Sequence, residues 1–176
     1  MEKERTTILE INNLKTEFQI HKRRITAVRG VTLHMEQGDI LAIVGESGSG
    51  KSVTMKSVMG ILGENAQVSA DTLTVLDQDM LALSDKEKRA MRGRDMAMIF
   101  QDPMTALNPL KKIGQHLIEV LRRHRGLSKK EAYKVAVEML SRVGIPSPES
   151  RMEQYPHEFS GGMRQRVMIA MALCCQ

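Results

Sequence analysis

Gly45-Glu46-Ser47-Gly48-Ser49-Gly50-Lys51-Ser52 constrains this chain more than any other stretch, because it matches the spacing GxxxxGK[ST] in full. Before it, Asp39 to Val44 (DILAIV) is a short apolar run that reads as a buried strand, and Lys51 to Leu62 (KSVTMKSVMGIL) has the length of a helix. A glycine-rich turn that joins a strand to a helix has a definite physical use. Gly45, Gly48 and Gly50 open backbone angles closed to other residues, so that successive N–H groups converge on one anion. The first N–H groups of the helix lack intrahelical partners and carry the positive end of its dipole. The stretch therefore reads as a phosphate-binding loop for a nucleotide. The backbone from Gly45 through Glu46, Ser47, Gly48, Ser49 and Gly50 to Val53 would surround the phosphates, Lys51 would reach the β- and γ-phosphates, and the Ser52 hydroxyl would ligand Mg²⁺.

Composition narrows the class. With 176 residues, 41% hydrophobic and 27% charged, the chain has apolar material for one domain or most of one. The longest apolar runs, such as Val167 to Cys175, fall short of the roughly 20 residues that span a bilayer, and the opening MEKERTT lacks a signal peptide's apolar segment. A cytoplasmic location is expected. Cys174 and Cys175 adjoin in an apolar run without CxxC spacing and read as buried, reduced thiols. The net charge of +5 raises the question of nucleic acid, with basic clusters at His21-Lys22-Arg23-Arg24 and Arg122-Arg123-His124-Arg125. None of the three Phe and two Tyr lies in these clusters to stack on bases, and there is no Trp, which argues against that partner. The clusters read as solvated basic surface, with anionic lipid head groups as the next candidate.

Strand and helix signals alternate along the chain. Ile8 to Ile20 and Ile25 to Met35 are β-rich and read as an antiparallel layer. Thr72 to Leu76 is a further expected strand, Ser84-Asp85-Lys86-Glu87 a capping box, and Asp95 to Phe100 (DMAMIF) a second buried strand. Ile113 to His124 carries Ile113, Leu117, Val120 and Leu121 at helical spacing; Ser128 to Glu131 caps another helix ending near Gly144 and Pro146, and Gly162 to Leu173 is a last helical run. Strand, phosphate loop, helix and later strand predict an α/β fold with a mainly parallel core sheet.

Three further features follow in order. Phe159-Ser160-Gly161-Gly162-Met163-Arg164-Gln165-Arg166 places a serine before two glycines at a helix start, which serves either as a plain cap or as a second phosphate-sized anion site. Gln101 stands in Phe100-Gln101-Asp102-Pro103-Met104-Thr105-Ala106-Leu107-Asn108-Pro109, a Pro-bounded loop in which a neutral amide can ligand Mg²⁺ or orient a water. Phe18 offers a π face for an adenine ring, or is a core residue on an inward strand face.

Taken together these features resemble the ATP-binding cassette (ABC) family over essentially the whole chain. Ser160, Gly161 and Gly162 are similar to its LSGGQ signature, with Phe159 and Met163 departing at the first and last positions; Gln101 is similar to its Q-loop, and Phe18 to the aromatic that stacks on adenine. GESGSGKS, FQDPMTALNP and YPHEFSGGMRQRVMIAMAL look most like the importer subunits that power uptake of di- and oligopeptides, with nickel importers close by. The resemblance implies a P-loop NTPase of the ABC type: a β-rich and P-loop core over about 1–100, a Q-loop and helical subdomain over about 101–160, and a signature helix over 160–176. It implies an ATPase at the cytoplasmic face of the membrane, using ATP and Mg²⁺, with Lys51 and Gln101 as catalytic residues and Ser52 and Gln101 at the metal. Implied partners are transmembrane permease subunits, a second ATP-binding subunit paired head to tail and, indirectly, a substrate-binding protein. The family continues into an apolar strand ending in Asp-Glu, a dimer loop and a later His, and this sequence ends before all three. It is thus expected to be the N-terminal portion of a longer subunit, with an unpaired sheet edge where that strand would lie. The alternatives are a soluble, non-transport ABC ATPase of nucleic-acid repair or translation, and an inactive fragment.

Overall fold

The computed structural model describes residues 6–102 and 106–175. The chain divides into two compact units, Met1–Met91 and Arg92–Gln176.

The first unit is built on two long antiparallel strands, β1 (Thr7–Ile20) and β2 (Arg23–Glu36). β1 also pairs with β3 (Ala66–Ser69) along its C-terminal half and with β4 (Thr72–Val75) along its N-terminal half, and β4 pairs with the short β5 (Gln78–Asp79). Every one of these pairings is antiparallel. A register shift between Ile11 and Leu14, with Asn13 at φ 52°, changes the parity of β1, so Leu9 and Ile11 before it and Leu14 and Thr16 after it are all buried. The Asn13 side chain donates to Asp71 at 3.1 Å and its N–H to the Thr32 hydroxyl at 3.0 Å, fixing the bulge.

Helix α1 (Lys51–Met59) packs against β1 and β2, and α2 (Asp85–Met91) opens on the expected capping box, with Ser84 Oγ and Glu87 Oε2 2.5 Å apart. α1 is shorter than the run to Leu62 expected from its composition. Gly60 turns left-handed at φ 60°, and the N–H groups of Gly60 and Ile61 return to the carbonyls of Ser57 and Lys56, which closes the helix.

Two expected strands are corrected. Asp39 to Val44 is not a strand: Ile40 is 98% and Val44 88% exposed. Asp95 to Phe100 makes only an isolated bridge from Met96 to Arg92, and Ile99 and Phe100 are exposed. An apolar run becomes a buried parallel strand only when neighbours complete its ladder and cover both faces, and among the described residues neither segment has such neighbours. The mainly parallel core sheet is therefore absent from the described residues, and the antiparallel layer is the sheet that is formed.

The second unit is helical: α3 (Ile113–Arg125), α4 (Lys129–Arg142), α5 (Pro148–Arg151), a 3-10 turn (Pro156–Glu158) and α6 (Gly161–Leu173). Ile113, Leu117 and Leu121 of α3 are fully buried with Ala132, Ala136 and Leu140 of α4 and Val167 and Ala170 of α6. Gly114 lets the chain approach closely at the start of α3, where its N–H donates to the Met152 carbonyl at 2.8 Å and a Cβ would meet that same oxygen at 2.8 Å.

Candidate nucleotide site

The loop from Gly45 to Gly50 is formed even though the run before it is not a strand. Ser49 N–H donates to the Glu46 carbonyl at 3.2 Å, and Gly48 and Gly50 take φ 82° and 93°. Gly50 has no substitute here, since a Cβ would lie 2.7 Å from the Ala27 carbonyl oxygen of β2. The first helical bond of α1 runs from Thr54 N–H to the Gly50 carbonyl at 2.8 Å, which leaves the N–H groups of Lys51, Ser52 and Val53 ahead of the ladder.

Lys51 folds back over this loop. Its Nζ donates to the carbonyls of Gly45 (2.7 Å) and Glu46 (2.6 Å) and to Ser49 Oγ (3.3 Å), so all three ammonium protons are engaged by neutral oxygens. Phosphate oxygens would exchange for these acceptors with a gain, because a bond between two charged groups is shorter and stronger. The Ser52 side chain is exposed and carries no hydrogen bond among the described residues, which leaves its oxygen open to a cation. No group of three or more His, Cys, Asp or Glu among the described residues could hold a metal. The donor set thus fits a cation that arrives with a nucleotide's phosphates and takes one protein hydroxyl here.

Several residues that hold the loop in place carry no sequence signal. Thr54 Oγ1 donates to the Gly50 carbonyl at 3.1 Å, and Ser57 Oγ donates to the Val53 carbonyl at 2.8 Å. The buried Thr16 hydroxyl of β1 lies 2.8 Å from Ser57 Oγ, tying α1 to the sheet. Phe18, two residues further along β1, pairs with Ile25 and Ala66 and is half-buried, between the core position and the open face weighed for it.

Gln101 is exposed in the second unit, and Pro103, Met104 and Thr105 of the same stretch lie outside the described residues. Downstream, the Asn108 side chain accepts from Leu110 N–H at 2.9 Å, Leu107 is buried, and His116 Nε2 meets the Asn108 carbonyl at 3.2 Å. Burial holds the His116 imidazole below its ordinary pKa, so the neutral ring with a proton on Nε2 is the form that fits. Sequence reasoning missed His116, which anchors the turn of this loop from inside α3.

Ser160 caps α6: its hydroxyl accepts from Met163 N–H at 3.3 Å, and Ser160, Gly161 and Gly162 are all exposed. Nothing lies within 4 Å of a Cβ added to Gly161 or Gly162, so this chain's own packing does not demand glycine there. Phe159 is buried beneath, with the Arg151 guanidinium 5.8 Å from its ring centroid. Arg166 Nη1 donates to the Val143 carbonyl at 2.7 Å, fastening α6 to the end of α4.

Phe18 and the phosphate loop thus belong to the first unit, and Gln101 and the Ser160 cap to the second.

Comparison with known proteins bears on the whole chain. The family model described as ABC transporter matches residues 28–176, which leaves Phe18 outside the match. The dipeptide transport ATP-binding protein DppD of Bacillus subtilis is 52% identical over 170 residues, covering 96% of this chain and 51% of that protein. The oligopeptide transport ATP-binding protein OppD of Salmonella typhimurium is 47% identical over 169 residues, covering 96% and 50%. The chain spans about half the length of the curated relatives it matches. Among solved structures, the dimeric bacterial ABC transporter cassette MJ0796 superposes with a TM-score of 0.76 at 26% identity, covering 94% of this chain and 69% of that one. The fold class expected from the sequence is therefore supported, while the two strand expectations at 39–44 and 95–100 are not met.

Proposed function

The chain belongs to the ABC transporter family, and on that premise we propose that it carries the nucleotide-binding half of an ATP-driven importer subunit for di- or oligopeptides. The observation that carries this reading is the formed phosphate loop, with Lys51 held across it and the N–H groups of Lys51, Ser52 and Val53 ahead of the first helical bond. The peptide substrate is supported by the relatives, named as dipeptide and oligopeptide transport ATP-binding proteins. Nothing in those names favours the soluble repair or translation alternative.

In this reading the loop amides and Lys51 bind the β- and γ-phosphates, the Ser52 hydroxyl takes a metal position, and Phe18 stacks on the adenine. Mg²⁺, when bound with the nucleotide, neutralises phosphate charge that builds up during transfer. Gln101 would supply the Q-loop amide, a neutral oxygen able to ligand Mg²⁺ or to orient a water. The exposed Ser160, Gly161 and Gly162 of one subunit cover the γ-phosphate held by another, and the absence of any local packing demand on both glycines supports this use. Residues to about 100 form the nucleotide half, 101–160 the Q-loop and helical subdomain, part of which faces the permease subunits, and 160–176 the signature helix. No helix among the described residues is long and apolar enough to cross a membrane; the subunit would act peripherally, at the cytoplasmic face.

A chimaera tests this reading: the 176 residues replace the matching half of the Bacillus subtilis dipeptide relative in cells lacking that protein. ATP-dependent dipeptide or oligopeptide uptake is expected, and the same chimaera carrying Lys51→Ala should transport nothing. A chimaera that binds MgATP and assembles yet sustains neither uptake would contradict the peptide assignment.

A further inference from the structure

Some cations of the helical unit have a carboxylate partner. Arg94 holds Asp95 at 2.7 Å, Lys111 holds Glu119 at 2.6 Å and Lys112 holds Glu153 at 2.8 Å. Around the turn between α3 and α4 the pattern changes: Arg122, Arg123, Arg125, Lys129 and Lys130 are exposed, and among the described residues none has a carboxylate within ion-pair distance. Two carboxylates on the same helices are engaged elsewhere, Glu119 by Lys111 and Glu131 by the Ser128 hydroxyl at 2.6 Å and its N–H at 3.0 Å.

Helix stability explains only part of this cluster. Arg122, Arg123 and Arg125 occupy the last turn of α3, where cations complement the helix dipole. Lys129 and Lys130 open α4, where the dipole disfavours positive charge, and they face a neighbouring set of like charges across the left-handed Gly126. The helix dipole does not account for cations at that end. Arg122, Arg123 and Lys129 line an open groove of about 600 Å³ with half-buried Ile118 and Leu127 and with Glu119, whose carboxyl is held below its ordinary value chiefly by Lys111 and in part by the nearby Arg123.

We propose that this face binds the head groups of anionic phospholipids, with the guanidinium and ammonium groups on lipid phosphates and Ile118 and Leu127 at the apolar boundary. Long, exposed side chains spread over two helix ends can each find a phosphate in a fluid array of head groups, which imposes no fixed acceptor geometry. The choice of a membrane as the source of the anions rests on the peripheral role proposed above; nucleotide binding by the phosphate loop does not depend on it.

The test is co-sedimentation of the purified chain with vesicles of phosphatidylcholine alone and of phosphatidylcholine with phosphatidylglycerol. Binding only to the anionic vesicles is expected, weakening as salt is raised. At about 1 kcal/mol per basic residue near an anionic surface, R122Q/R123Q should lower the partition coefficient about thirtyfold. K22Q/R23Q, which removes the same charge from the β1–β2 turn, should change it by no more than about twofold. MgATP affinity and circular dichroism should match the parent in both variants, so a failure here is separable from a failure of the nucleotide site. Equal binding to both vesicle types, equal losses in the two variants, or no vesicle binding would overturn the proposal. So would saturable binding of an acidic peptide or of soluble glycerophosphate that R122Q/R123Q abolishes while vesicle binding persists.

Discussion

The Thr16 hydroxyl of β1 donates to Ser57 Oγ of α1 across 2.8 Å in a buried setting. The direction follows from proton counting, because Ser57 has one hydroxyl proton and it goes to the Val53 carbonyl at 2.8 Å. This bond fastens the helix that presents the phosphate loop to the sheet beside it.

Ser57→Ala removes the acceptor and strands a buried donor, so it should cost about 1–3 kcal/mol. Thr16→Val leaves Ser57 with its donation to Val53 intact and should cost less, and Thr16→Val with Ser57→Ala should cost less than the sum. Urea unfolding of the three variants measures this order; a costlier Thr16→Val would reverse the donor assignment.

Gly50 and Gly48 differ in what surrounds them. Gly48→Ala meets open space and carries only the left-handed conformational cost of about 1–2 kcal/mol. Gly50→Ala adds a contact of 2.7 Å with the Ala27 carbonyl oxygen, so it should be the less stable variant by thermal melting and the poorer at binding MgATP. Equal losses would mean that β2 yields at Ala27.

His116 makes stability depend on pH. Its folded pKa is lowered, chiefly by burial, from an ordinary value of 6.5, so its contribution is fully present above that value and is lost as the pH falls through the lower folded value. Unfolding free energies at pH 7.5 and pH 5.5 should fall apart more in the parent than in His116→Gln. An identical pH dependence in the two would show that His116 is not held neutral.

Local chemistry was the legible part of the sequence. Ser84 with Glu87 and Ser128 with Glu131 are capping boxes because each needs only four consecutive residues, and Ile113, Leu117 and Leu121 face the core because helical spacing puts them on one side. The glycine loop was readable for the same reason. Asp39 to Val44 and Asp95 to Phe100 were not, because an apolar run becomes a strand only through partners that its own residues do not encode. Thr16 with Ser57, Ala27 with Gly50 and Val143 with Arg166 are meetings between residues far apart in sequence, and no periodicity announces them.

The two cysteines should be poor nucleophiles. Burial pushes the Cys174 thiol up to about 11, helped by neighbouring Cys175, and burial also raises Cys175. At pH 8 roughly a thousandth of Cys174 is thiolate, so iodoacetamide should label it slowly in the folded chain and rapidly after denaturation. Fast labelling of the native chain would show that the end of α6 is open.

The central claim is that the formed phosphate loop binds a nucleotide, and calorimetric titration of MgATP into the chain and into Lys51→Ala tests it most directly. The account predicts saturable binding at one site, weakened on the order of 100-fold in the variant, since Lys51 would contribute charge-assisted bonds that Ala cannot replace. Equal affinity in the two proteins, or no binding by a chain that melts cooperatively, would contradict it.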